Sequence, residues 1–82
     1  MVNVIKCLET GMATILIESG KEKFKIDILK NELEHAIKLA REGDYSTLKE
    51  YLLSFDPQFA KGIESEGIES IAKVLTTRES IF

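Results

Sequence analysis

The N-terminal part of the chain alternates apolar and polar residues with a period of two, which is typical of β-strands. β-Branched and other apolar residues dominate from Val2 to Ile28. Thr10-Gly11 and Ser19-Gly20 interrupt them with residues that favour two-residue turns between antiparallel strands. The pattern therefore predicts a β-meander with strands near residues 2–9, 12–18 and 21–27.

The predicted sheet has two unlike faces. Phe24, Ile26 and Ile28 point to one side of the third strand. Two-residue turns bring further apolar residues to this core face, namely Val2, Val4, Leu8, Ile15 and Ile17. The opposite face is expected to be half apolar and half basic. Its apolar part contains Ile5, Cys7, Met12 and Leu16 with Thr14 among them, and its basic part is the row Lys21, Lys23 and Lys25.

From Asp27 onward the period changes to that of amphipathic helices. The first apolar stripe consists of Leu29, Leu33, Ala36, Ile37 and Ala40. Gly43 is expected to end this helix as its C′ residue, and Asp44 to cap the next one. The inward stripe of the second helix is Tyr45, Leu48, Leu52 and Phe55. The short connection predicts an antiparallel helical hairpin.

The C-terminal part is predicted to hold further helical segments. Asp56-Pro57 indicates a short turn of helix that ends at Gly62. A last helix is expected to begin at Ser65 or Glu66, and its buried residues are Ile68, Ile71, Ala72 and Leu75. The predicted fold class is thus α+β, a three-stranded antiparallel β-meander followed by three to four helices packed on one face of the sheet.

Length and composition indicate one domain over residues 1–82. It would comprise a sheet at 2–28, a helical half at 29–76 and a frayed tail at 77–82, where Ile81 and Phe82 are candidate contacts to a neighbour. With 44% hydrophobic and 30% charged residues, the chain is apolar enough to fold. It shows no signal-peptide pattern and no apolar run of about 18 residues that could span a membrane. An intracellular, cytoplasmic location is therefore expected.

The residues that carry chemistry are few. One cysteine and one histidine cannot form an internal disulfide or a closed zinc site in a monomer. His35 is expected on the solvent side of its helix. Glu32-x-x-His35 has the i,i+3 spacing of half a di-metal site, which only a dimer could complete, but this spacing is common by chance in a chain rich in glutamate. Ser19-Gly20-Lys21 is better explained as a hairpin turn than as a phosphate loop, because Glu22 follows the lysine. We assign no catalytic, cofactor or metal residues, and we expect a protein that is not an enzyme.

The leading hypothesis is a small binding or regulatory protein that acts through protein–protein contacts with a protein partner or as a homodimer. The candidate interface is the apolar part of the second sheet face, with Ile5, Cys7, Met12 and Leu16, because exposed apolar patches usually mark interfaces. The alternative is a nucleic-acid-binding regulator. It would use Lys21, Lys23 and Lys25, or a helix-turn-helix-like segment at 44–76. The net charge of −3 opposes this alternative.

Overall fold

A computed structural model describes residues 1–7 and 9–77, with the backbone alone for Lys6 and Cys7. Within these residues an antiparallel meander of three strands precedes four helices, which confirms the predicted α+β class. The strands are β1 (Val2–Cys7), β2 (Met12–Ser19) and β3 (Glu22–Leu29). The helices are α1 (Lys30–Arg41), α2 (Tyr45–Leu53), α3 (Phe59–Glu66) and α4 (Ile68–Thr77). Thr77 therefore ends a helix, and the rest of the predicted tail, including Ile81 and Phe82, lies outside the described residues.

Both strand connections differ from the prediction. Cys7 pairs with Met12, so four residues, 8–11, lie between the paired ends of β1 and β2. Ser19 pairs with Glu22, so the second turn is formed by Gly20 and Lys21. Each pairing register is shifted by two positions from the predicted one. Because side chains alternate with a period of two, a shift of two positions leaves the described residues within the strands on their predicted faces.

The core face of the sheet forms as the alternation predicts. Val2 pairs with Ile17 across β1 and β2, and Ile17 pairs in turn with Phe24 on β3. The next row joins Val4, Ile15 and Ile26. Leu8, which was also assigned to this face, lies outside the described residues.

The helices pack together on the core face. α3 lies on β2 and β3, α4 lies on β1 and α1, and α2 packs against the other helices. The largest side chains buried in the core are Ile15, Ile17, Ile28, Leu33, Leu48, Leu52, Phe59, Ile71 and Leu75. Within the described residues, none of the helices is long and apolar enough to cross a membrane.

The hairpin of α1 and α2 has the predicted boundary. The N–H groups of Gly43 and Asp44 donate to the carbonyl oxygens of Ala40 and Leu39, at 3.2 and 3.1 Å. These two bonds form a Schellman motif, in which Gly43 adopts a φ of 73°. The Asp44 carboxylate then accepts a hydrogen bond from the Thr47 N–H at 3.4 Å and caps α2.

The boundary between α3 and α4 was predicted wrongly. Gly62 was expected to end a short helical turn, but it lies inside α3, which continues to Glu66. Gly67 separates the two helices, and α4 begins at Ile68 rather than at Ser65 or Glu66. Gly62 lies directly against the sheet, where a Cβ atom would come within 3.1 Å of both Ile17 Cδ1 and Phe24 Cδ2.

Candidate functional site on the outer face of the sheet

The face of the sheet turned away from the helices, here called the outer face, is built by the register of the strands. One row crosses the sheet from Asn3 through Leu16 to Lys25, and the next row crosses from Ile5 through Thr14 to Asp27. A third row pairs Cys7 with Met12 and Met12 with Leu29. The Cys7 side chain is outside the described part of the chain, whereas the other predicted interface residues lie in one patch.

The apolar part of the outer face is exposed to solvent. Ile5 retains 54% and Leu29 49% of their accessible surface. Met12 and Leu16 are half-buried between these strands. The described helices all pack on the other side of the sheet and do not cover these four side chains. Neighbouring strand residues shield them only in part. We call Ile5, Met12, Leu16 and Leu29 the outer patch.

Leu29 is a member of the outer patch that the sequence analysis missed, because it was assigned to the inward stripe of α1. It is the last residue of β3 and has extended backbone angles, φ −74° and ψ 157°. The signal was present in the sequence, since Leu29 continues the alternation of Lys25 and Asp27. A residue at the junction of a strand and a helix fits the periods of both elements. Only the observed start of α1 at Lys30 assigns Leu29 to the strand.

Polar groups border the outer patch on β3. The Thr14 hydroxyl donates a 2.6 Å hydrogen bond to the Asp27 carboxylate across the two strands. Lys25 lies opposite Leu16, and Lys23 lies opposite Glu18. Lys23 and Lys25 are both exposed. The outer patch is therefore flanked by two lysines along one strand.

The predicted basic row is not continuous on the sheet. Lys23 and Lys25 are in β3, but Lys21 belongs to the turn with Gly20. The structure therefore brings two of the three lysines onto the same strand face.

The residues around His35 form an aromatic cluster on the helical side. His35 is exposed, and its ring meets the ring of Tyr51 edge-on, with 4.7 Å between centroids. Tyr51 in turn meets Phe55 at 5.2 Å. Burial of the phenol, followed by the negative charge of Glu32, raises the pKa of Tyr51 above its ordinary value. These ring contacts give His35 a packing role at the surface of the helices.

Glu32, the other half of the hypothetical di-metal motif, has a structural partner. Its carboxylate accepts a 2.8 Å hydrogen bond from the Leu29 N–H at the start of α1. This bond satisfies an amide that precedes the first turn of the helix. Among the described residues, no cluster of three or more His, Cys, Asp or Glu side chains could hold a metal ion.

The helix-turn-helix hypothesis concerns α2, α3 and α4. Gly67 alone separates α3 from α4, whereas the DNA-reading motif has a turn of about three or four residues. The exposed residues of α4 include Glu69, Ser70 and Lys73. This set mixes charges and provides one cation for a phosphate backbone.

A surface groove of about 400 Å³ lies between the helices. Its lining residues are Ala40, Tyr45, Glu69, Ala72, Lys73 and Thr76. Glu69 and Lys73 are exposed at its rim, so the groove lacks the desolvated, convergent polar groups that orient a small ligand. The outer face is the better candidate for function.

Comparison with protein-family models, with curated proteins and with solved structures found no match to this chain.

Proposed function

We propose that this chain is a non-enzymatic binding protein that acts through protein–protein contacts and self-associates through the outer face of its sheet. The observation that supports the proposal is the outer patch, with Ile5 at 54% and Leu29 at 49% exposure on one sheet face. Apolar side chains exposed together on one sheet face are unfavourable in water and are typical of interaction sites. Burial against a partner would remove that cost.

A second copy of the chain suits this surface. A two-fold axis parallel to the strands would stack two outer faces with β2 over β2 and β1 over β3. Leu16 would then meet its counterpart near the axis, and Lys25 would face the neutral Asn3 of the second copy. The stacked arrangement brings no like charges together at its centre.

The small size of the chain favours such an assembly. A domain of about 60 to 80 residues buries a limited fraction of its surface, and oligomerisation commonly supplements its core. Stacking two sheets about 10 Å apart would bury the apolar side chains of both outer faces. The protein would thereby gain stability from the same contact that provides its function.

Sedimentation analysis at tens of micromolar tests the proposal with Leu16→Glu. Two glutamates would oppose each other near the axis, so we expect the dimer dissociation constant to rise at least about 10-fold, the equivalent of 1.4 kcal/mol. Ser46→Glu adds the same charge at an exposed position of α2 and should leave association unchanged. A strictly monomeric protein, or a face contact insensitive to Leu16→Glu, would contradict the proposal.

A further inference from the structure

The strand β1 forms one edge of the sheet, and its backbone hydrogen bonds follow a strict alternation. Met1 exchanges two bonds with Glu18, one from its amino group at 2.6 Å and one to its carbonyl oxygen at 2.8 Å. In an antiparallel ladder every second residue repeats this arrangement, so Asn3, Ile5 and Cys7 bond to β2. The N–H and C=O groups of Val2, Val4 and Lys6 therefore point away from the sheet.

This edge is less protected than the other one. By the same alternation, the outward backbone groups of β3 belong to Lys23, Lys25, Asp27 and Leu29, and the first three carry the charges that usually prevent edge-to-edge pairing. The sequence of β1, Val-Asn-Val-Ile-Lys-Cys, contains one charge and no proline. Within residues 1–7 and 9–77, no other strand pairs with β1.

We infer that β1 pairs antiparallel with β1 of a second copy, with Val4 opposite Val4 and Val2 opposite Lys6. This register brings the outward groups of all three residues into hydrogen-bonded pairs, which gives six backbone bonds. A symmetric register shifted by two positions in either direction would keep only four of them. The edge is thus self-complementary. The backbone N–H and C=O groups of β1 in a second copy provide every hydrogen-bond partner that this register requires.

The pairing also accounts for the side chains along β1. Val4 is an apolar side chain on the core face that remains half-buried at the sheet edge, and the pairing would cover it with its own counterpart. On the outer face, Ile5 would lie beside Asn3 of the second copy. The described strands of both copies would join into one six-stranded sheet whose outer patches lie on the same face.

This inference rests on the self-association in the proposed function, but it uses different atoms. The face contact buries side chains of the outer patch, whereas the edge contact pairs backbone groups of β1. The two contacts are geometrically compatible. The face axis passes over β2 and the edge axis lies beside β1, so the two axes do not intersect. Both contacts together would therefore generate an open, alternating array of copies, whereas either contact alone gives a closed dimer.

Cysteine cross-linking tests the register. In the proposed pairing, Asn3 and Ile5 of different copies form a non-hydrogen-bonded pair with Cα atoms about 4.5 Å apart, within the range that a disulfide spans. The variants Asn3→Cys and Ile5→Cys are prepared separately in a Cys7→Ser background and then mixed under mild oxidation. We expect cross-links between the two different variants. Each variant alone should cross-link poorly, because its own cysteines are diagonal neighbours about 7–8 Å apart.

Val4→Pro provides the second measurement. The proline removes an outward N–H that has no partner in the sheet of its own copy, so both bonds of the central pair are lost while the bonds between β1 and β2 are kept. We expect edge dimerisation to weaken about 10- to 100-fold. Circular dichroism and thermal unfolding of the variant check that the monomer is folded.

The outcomes separate the two proposals. Mixed cross-links that persist in Leu16→Glu and disappear in Val4→Pro support the edge pairing. Association that Leu16→Glu abolishes, with no mixed cross-link, overturns the edge pairing and leaves the proposed function intact. Mixed cross-links in a dimer indifferent to Leu16→Glu support the edge pairing and overturn the face contact. A strict monomer, or cross-linking of Ile5→Cys mainly with itself, overturns the inferred register.

Discussion

At the scale of single residues, Gly62 determines how closely the helical layer approaches the sheet. An added Cβ would lie 3.1 Å from Ile17 Cδ1 and 3.2 Å from Phe24 Cβ. The second of these atoms is held by the backbone of β3 and cannot move away as the end of a long side chain could. The absence of a side chain at position 62 therefore serves packing, although glycine weakens the helix itself.

We predict that Gly62→Ala lowers the free energy of unfolding. Overpacking typically costs about 1–3 kcal/mol, and the gain in helix propensity offsets up to about 1 kcal/mol of that cost. The difference is a net loss of up to about 2 kcal/mol in chemical denaturation, and we expect the upper half of this range because the Phe24 Cβ atom cannot move away. Lys61→Ala, at an exposed position of the same helix, should change the stability by less than about 0.5 kcal/mol. A stabilised Gly62→Ala variant would mean that α3 can move away from the sheet at little cost.

At the scale of secondary-structure elements, the hairpin of α1 and α2 depends on local capping. Gly43 adopts a φ of 73°, and its N–H and that of Asp44 close the last turn of α1 on Ala40 and Leu39. Nothing lies within 4 Å of a Cβ built at Gly43. Glycine is therefore needed at this position for its backbone conformation, and not because the core would crowd a side chain. The left-handed conformation is what allows α2 to reverse direction and pack on α1.

The prediction for this element compares two substitutions at one position. Gly43→Ala should lower the free energy of unfolding by about 1–2 kcal/mol, because an L-residue pays that penalty in the left-handed region. Gly43→Asn should lose less, since asparagine tolerates this conformation better than alanine. Urea denaturation of the two variants gives the comparison. Equal losses of unfolding free energy in the two variants would show that the preference for glycine at position 43 does not come from backbone conformation.

At the scale of the whole molecule, charge distinguishes the proposed function from nucleic-acid binding. The net charge of −3 repels a polyanion at long range. Lys23 lies opposite Glu18, and Lys21 is displaced into the turn. Phe24, the single aromatic residue between Val2 and Leu29, belongs to the core face and cannot stack on a base. Lys23 and Lys25 on β3 thus lack the additional cations and the exposed aromatic residues that a nucleic-acid-binding surface needs.

We therefore expect no binding of DNA or RNA at physiological salt in a mobility-shift titration. If Lys21, Lys23 and Lys25 did contact phosphates, binding would appear at low salt with a log–log salt slope of about −2 to −3. Replacement of all three by glutamine would then abolish it without unfolding the exposed turn and strand. Micromolar binding at physiological salt that the triple variant loses would favour the nucleic-acid hypothesis over the proposed function.

The face assignments of the sheet depend on parity, and the sequence was sufficient to predict them. Ile15 and Ile17 were placed with Phe24 and Ile26 although both turns were located incorrectly, because each error shifted the register by an even number of residues. The Gly43 boundary was predictable for a similar reason. Its Schellman motif and the Asp44 cap involve residues close in sequence, so local residue preferences determine them.

Tertiary packing decided what local preference left open. Glycine usually interrupts a helix, yet α3 continues through Gly62. Its packing on the sheet places Ile17 and Phe24 in the space where a side chain at this position would lie. Leu29 fits the period of both β3 and α1, and the start of α1 at Lys30 leaves it exposed on the outer face. The sequence by itself thus determined that Ile15 and Ile17 share the core face with Phe24 and Ile26, and where the α1–α2 hairpin reverses. Only the tertiary structure decided where α3 ends and how large the exposed apolar surface is, because both depend on contacts between residues far apart in the chain.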